Sequence, residues 1–154
     1  QFRGAYACAP HYAEVSKLIA KIIYFPDTNL FEYVNNSVYQ ICKHLGIKTP
    51  IIRSSNLNLD PDLKGQSRVF AICKELGADE YVNPIGGTSL YDHHSFASQN
   101  IDLYFLKPDY FEYRQFKHNF VPWLSIIDVL MFNQTLVVQD KVENGFSLLK
   151  GEHL

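Results

Sequence analysis

Glu80-Tyr81-Val82-Asn83-Pro84-Ile85-Gly86-Gly87-Thr88-Ser89-Leu90, and then Ile101-Asp102-Leu103-Tyr104-Phe105-Leu106, read as strand, tight turn, short helix and strand. The first run, Glu80 to Asn83, is short and ends in a Pro-Ile-Gly-Gly turn, and the second alternates and is aromatic. The intervening helix is placed around Leu90 to Ser98. Upstream, the β-branched Pro50 to Arg53 predicts a further strand that ends in Ser54–Ser55. Asp60–Pro61 then supplies an N-cap followed by proline at the first helical position. Val69, Ile72, Cys73 and Leu76 form the buried stripe of the next helix, which Gly77 ends. Two successive β–helix–β crossovers predict a parallel sheet with right-handed connections. The expected class is therefore α/β: a parallel sheet of at least three strands sandwiched by helices in Rossmann-like layers, with helical N- and C-terminal segments.

Those flanking segments follow from periodicity. Pro10 suits a first helical turn, and Val15, Leu18, Ile19, Ile22 and Ile23 recur at helical spacing. Pro26 breaks that run, and Asn29 with Glu32 three residues on is in capping-box position. Val34, Val38, Ile41, Cys42 and Leu45 repeat the stripe, and Gly46 is placed to close it in the left-handed conformation. The early helices are expected to pack on the sheet. Toward the other end, Pro122 predicts the start of a helix that is apolar nearly all round from Trp123 to Phe132, hence buried. A last amphipathic helix is predicted over roughly Thr135 to Leu149.

Composition narrows the function classes. The 154 residues are 47% hydrophobic and 19% charged, an ordinary globular balance sized for one domain over residues 1–154. A net charge of −2 and a pI near 6.3 offer no basic footprint for nucleic acid. No apolar run reaches the roughly 18 residues of a membrane span. Cys8, Cys42 and Cys73 form no CxxC pair and leave one over, which argues for a reducing compartment rather than a disulfide framework or a zinc site.

Candidate chemistry gathers where ligands bind in open parallel sheets, at the carboxyl ends of the strands. Asn83 to Ser89 is the richest such segment: paired Gly86 and Gly87 allow backbone N–H groups to approach an anion, and Thr88 and Ser89 add hydroxyl donors. The alternative is a tight β–α turn with Tyr91 packed on it and no ligand. Neither GxxxxGK nor GxGxxG occurs, so this is no P-loop or dinucleotide fingerprint. Lys64 and Arg68 stand early in a helix against its dipole, and Gly65 between them is unfavourable there. Of the two cations Arg68 is the better phosphate or carboxylate ligand, because its planar fork binds both oxygens. Asp128 lies among aliphatic turns with Ser125 on the same face. Its carboxylate must be protonated, hydrogen-bonded or paired with a cation such as Arg68 or Arg114, as a structural or a catalytic group. Asp92-His93-His94 is read as a helix start, because adjacent helical histidines point about 100° apart. His11, His44, His118 and His153 are scattered. No metal and no cofactor is expected.

Several runs together resemble the WbqC-like family: Lys64-Gly65-Gln66-Ser67-Arg68, Gly77-Ala78-Asp79, Tyr81 through Gly87, Leu90-Tyr91, Phe105-Leu106-Lys107-Pro108, Tyr113–Gln115 and Phe120 through Asn133. The resemblance covers nearly the whole chain and implies a bacterial cytoplasmic protein whose relatives lie in surface-polysaccharide and O-antigen gene clusters. Similar members begin with a further segment rich in Gln-Pro, aromatic and Asp-Asp motifs. The chain starts at Gln1 without that segment, so it is expected to be part of a longer protein with an uncovered face that favours a homodimer.

Two functions are consistent with this reading. The first is a transferase that moves a group onto a nucleotide-sugar or amino sugar. Asp128 and Ser125 then orient or deprotonate the acceptor, and Arg68, Asn83, Gly86, Gly87 and Tyr91 bind the anionic substrate. The second is a non-catalytic binding or scaffold protein of a polysaccharide-assembly complex.

Overall fold

The structure is a computed structural model and describes residues 2–117 and 119–153. Gln1, His118 and Leu154 lie outside the described residues. The chain forms two compact units, one from Gln1–Thr49 with Tyr110–Gly145 and the other from Pro50–Asp109 with Phe146–Leu154.

The first unit is helical: α1 (Phe2–Tyr6), α2 (Tyr12–Ile23) and α3 (Leu30–His44), later α6 (Ile126–Phe132) and α7 (Thr135–Asn144); α4 and α5 belong to the second unit. Asn29 caps α3 as its sequence predicts, its side-chain oxygen accepting from the backbone N–H groups of Phe31 and Glu32 at 2.9 and 3.4 Å. Gly46 follows α3 at φ +66, a conformation that costs a side chain with a Cβ. The core joins Val15, Leu18 and Ile19 of α2 and Leu45 to Leu130, Met131 and Val138 of α6 and α7. The early helices thus build their hydrophobic cluster with the C-terminal helices.

The stripe on α3 is only half covered. Ile41 and Leu45 reach the core, but Val34 and Val38, expected inside, are 50% and 46% exposed. The predicted helix from Pro122 begins only at Ile126, with Trp123 at φ +59 outside it and 72% exposed. A left-handed residue cannot continue a right-handed helix, so the apolar run divides there.

The second unit holds α4 (Gly65–Leu76), β1 (Glu80–Pro84), α5 (His93–Ser98), β2 (Asp102–Pro108) and β3 (Phe146–Lys150). β1 and β2 run parallel, as the crossover between them requires, with Tyr81 opposite Leu103 and Asn83 opposite Phe105. The third strand corrects the all-parallel expectation. β3 pairs antiparallel to β2, Phe105 opposite Leu149, which makes a mixed sheet in the order β1-β2-β3. It forms from residues expected to extend the last helix, because Gly145 ends α7 where a Cβ would stand 2.6 Å from the Lys141 carbonyl oxygen. The predicted strand Pro50 to Arg53 does not form, and Ile51 and Ile52 are 50% and 56% exposed.

In this unit Cys73 of α4 and Phe96 of α5 pack with Leu103 and Phe105 of β2 in one cluster. On the opposite face of the sheet Val82 and Leu148 are half exposed, so within this unit the expected sandwich is a sheet with helices against one face. Asp60 does not cap α4; its carboxylate accepts from the Asp62 N–H at 2.9 Å in a local turn. The helix starts at Gly65, whose φ of +51 explains a glycine where propensity disfavours one. Gly77 closes the same helix in the left-handed conformation at φ +64, as expected.

Candidate functional site

Asp128 sits in the first turn of α6 and is 5% exposed. The helix starts there because the Ser125 hydroxyl oxygen accepts from the Ile127 N–H at 3.3 Å, and an acid in the first turn suits the helix dipole. Three donors converge on the carboxylate. Tyr6 donates to Oδ2 at 2.9 Å, and Tyr113 and the Gln115 amide donate to Oδ1 at 2.7 and 3.1 Å. Of the outcomes open to a buried acid, hydrogen bonding is the one realised, and no cation pairs with it among the described residues. Burial first, and then the bond to Asp128, push the phenols of Tyr6 and Tyr113 up to about 12. Both phenols are therefore neutral donors near neutral pH.

Gln115 ties this acid to the neighbouring loop. Its Nε2 also donates to the Val121 carbonyl at 3.1 Å, while its Oε1 accepts from the Val121 N–H at 2.8 Å. The side chain thus pairs with Val121 as a peptide group would, closing residues 115–121 into a loop. Phe116 within that loop and Trp123 just after it both hold positive φ, +33 and +59. Bulky residues with positive φ persist only where the surroundings over-determine them, and such strain collects at functional sites. A cleft of ≈ 640 Å³ opens on this loop, lined by Tyr113, Arg114, Gln115, Phe116, Lys117 and Phe120 among others. Arg114, Phe116 and Lys117 also border a second cleft of ≈ 390 Å³ with Cys8, Pro10 and Phe132. The rings are held by their neighbours, Tyr113 against Phe120 at 5.1 Å and Phe116 against Phe132 at 4.7 Å between centroids.

The other predicted site residues belong to the sheet unit. Tyr81 Oη lies 3.3 Å from Asn83 Oδ1, to which it donates, and 3.2 Å from Tyr91 Oη. Asn83 Nδ2 donates to the Pro84 carbonyl at 3.1 Å. This explains Gly87 without a ligand, since a Cβ there would stand 2.1 Å from Asn83 Nδ2, whereas Gly86 faces open space. The segment Ile85–Leu90 is a 3-10 turn, and α5 starts later, its Asp92 cap accepting from Ser95 N–H at 2.7 Å. Gln66 receives the Asp92 N–H at 2.9 Å and so joins the start of α4 to that cap. Arg68 is half-buried in α4 and has no ion-pair partner among the described residues. Structure thus groups Asn83 and Tyr91 around Tyr81, with Gly87 against Asn83, and groups Ser125 with Asp128 in the helical unit. Sequence reasoning did not pick out Tyr6, Tyr113 and Gln115 as site residues. The Tyr113-x-Gln115 spacing, which puts both side chains on one side of an extended segment, was the available sign.

The steric role of Asn83 is testable. Gly87→Ala is expected to cost about 1–2 kcal/mol, the worth of the Asn83 hydrogen bonds it displaces. The same substitution in an Asn83→Ala background should be near neutral, as should Gly86→Ala alone. Urea unfolding of the parent and these four variants, Asn83→Ala alone included, reads this directly, and equal costs in both backgrounds would refute the contact.

Among the described residues no group of three or more His, Cys, Asp or Glu side chains could hold a metal ion. No described helix is long and apolar enough to cross a membrane. The profile of the WbqC-like protein family matches residues 1–139, nearly the whole chain and both units in large part. This chain belongs to the WbqC-like protein family. Neither a curated protein nor a solved structure matches it.

Proposed function

We propose that this WbqC-like protein binds an anionic sugar derivative, a nucleotide-sugar, in the cleft lined by Tyr113, Arg114, Phe116, Lys117 and Phe120, and serves a group-transfer step of bacterial surface-polysaccharide assembly in the cytoplasm. The carrying observation is the three-donor clamp on Asp128, which holds the Tyr113–Gln115 segment against the cleft that Arg114, Phe116 and Lys117 line. Arg114 suits a phosphate because its planar fork binds two oxygens at once, and an aromatic wall of Phe116 and Phe120 suits a sugar face. Asp128 serves as the positioning group of this site, through the residues it holds. Ser125 serves α6 as its cap. Family membership supports the polysaccharide setting.

Thermal unfolding with UDP- and dTDP-sugars is the test. At a hundredfold excess over Kd a ligand of the folded state adds about 2.7 kcal/mol, which raises Tm by roughly 5–10 °C for a chain of this size. Arg114→Ala should abolish the shift. The reading fails if no sugar nucleotide shifts Tm, or if Arg114→Ala leaves the shift intact.

One observation favours the scaffold reading as a second possibility. Ile23, Tyr24, Leu30, Phe31, Val34 and Val38, at the end of α2 and the first half of α3, are each at least 46% exposed. Such an apolar stretch suits a second copy of the chain. Light scattering across a dilution series checks this, and a strictly monomeric protein would exclude it.

A further inference from the structure

A separate cluster of charge lies between α2 and α3, in a cleft of ≈ 250 Å³ lined by Glu14, Lys17, Lys21, Gln40, Lys43 and His44 over the buried Leu18. Three of the fourteen Lys and Arg residues of a chain with net charge −2 meet here. Lys17 and Lys21 stand four apart on one helix face, where like charges repel, and Lys43 faces the same cleft from α3. None of the three lysines has an ion-pair partner among the described residues. The one acid of the cleft among the described residues, Glu14, lies 3.7 Å from His44 Nε2, which also contacts Thr135 Oγ1 at 3.3 Å. Placement of Lys43 and His44 in the last turn of α3 suits that helix dipole. The dipole does not account for the repelling pair on α2, nor for convergence on one concavity.

Gln40 of the cleft has its own amide donor turned to Asn36 Oδ1 at 3.2 Å, one turn back along α3. Donors and positive charge prevail at the site, and its volume falls below the ~300–1,000 Å³ of pockets for drug-sized ligands.

From these features we infer that the α2–α3 cleft is a binding site for a phosphate group, with Lys17, Lys21 and Lys43 as its charged ligands. The site is distinct from the Arg114 cleft and does not depend on the function proposed for it. A phosphate here comes from a small soluble phosphate compound or from a lipid headgroup, and the two sources share the chemistry.

Inorganic pyrophosphate serves as the soluble probe, titrated by calorimetry and by amide chemical shifts at constant ionic strength. Vesicles of phosphatidylcholine with and without phosphatidic acid serve as the lipid probe. Binding of pyrophosphate with shifts in α2 and α3 assigns the soluble source, and cosedimentation only with phosphatidic acid assigns the headgroup. In either case the double variant Lys17→Gln/Lys21→Gln should weaken binding at least tenfold and Lys43→Gln severalfold. Lys74→Gln, in α4, should leave it unchanged, and so should Arg114→Ala, which separates this site from the sugar-nucleotide cleft. These lysines are exposed, and circular dichroism should show all variants folded. The inference is overturned if neither probe binds beyond a chloride control, or if the double variant binds as the parent does.

Discussion

Asp128→Ala lowers the unfolding free energy by about 3 kcal/mol, because three donors lose a charged acceptor in a place where little water can replace it. In a chain of this size that is a fall in Tm of roughly 6–12 °C. Asp128→Asn keeps the shape and one acceptor oxygen, and a phenol can turn to accept from the new amide, so about 1–2 kcal/mol is expected. Chemical denaturation of the two variants separates the losses, and an alanine variant within 0.5 kcal/mol of the parent (roughly the noise of surface substitutions) would show the clamp to be inert. Alkaline titration reads the same network. Tyr6 and Tyr113 have folded values of about 12 against an ordinary value of 10.0. Above pH 10 the unfolded chain sheds these protons first, so it binds fewer than the folded chain and stability falls. The contribution is intact below pH 10 and lost toward pH 12, and tyrosinate absorbance should show Tyr6 and Tyr113 among the late-titrating phenols, with Tyr81, all ionising normally in urea.

Phe96→Ala is expected to be at least as damaging, by about 4 kcal/mol, and it acts in the sheet unit. Phe96 is fully buried, stacks on Tyr81 at 5.5 Å and meets Phe70 and Tyr91 edge-on at 4.8 and 5.7 Å. Deleting the ring leaves a cavity bounded by these three rings, which cannot all close on it without losing their own packing. The loss also frees Tyr81, whose phenol burial and Tyr91 hold well above the ordinary range. Phe96→Leu should cost much less, about 1–1.5 kcal/mol, since most of the volume remains. Leu148→Ala, on a strand residue 49% exposed, should cost under about 1 kcal/mol. Should Phe96→Ala prove no worse than Leu148→Ala, the cluster on the helix-covered side of the sheet is not the core described here.

Local rules explain which features could be read from residues alone. The Asn29 cap, the left-handed glycines Gly46 and Gly77 and the Val15-Leu18-Ile19 stripe each depend on neighbours within a turn or two, and each stands where its residues predict. The parallel β1–β2 pair was legible for the same reason, since a short strand–helix–strand unit has few other ways to close. The family, too, was legible in ordered motifs along the chain. What needed three dimensions is non-local or steric. β3 draws its identity from a partner strand some forty residues upstream, so Phe146 to Lys150 carried no sign of its own that set strand above helix. Periodicity marks Val34 and Val38 as an apolar face and is silent on whether anything covers it. Gly65 looked out of place at a helix start and Gly87 like a ligand glycine; a positive φ accounts for the first and the Asn83 side chain for the second. Asp128 was recognisable as a buried acid from its aliphatic neighbours, but its partners lie 122, 15 and 13 residues away. A chain reveals that a carboxylate must be satisfied because burying charge is costly wherever it happens; which groups satisfy it is settled by folding, which alone brings Tyr6 and Tyr113 to the same acid.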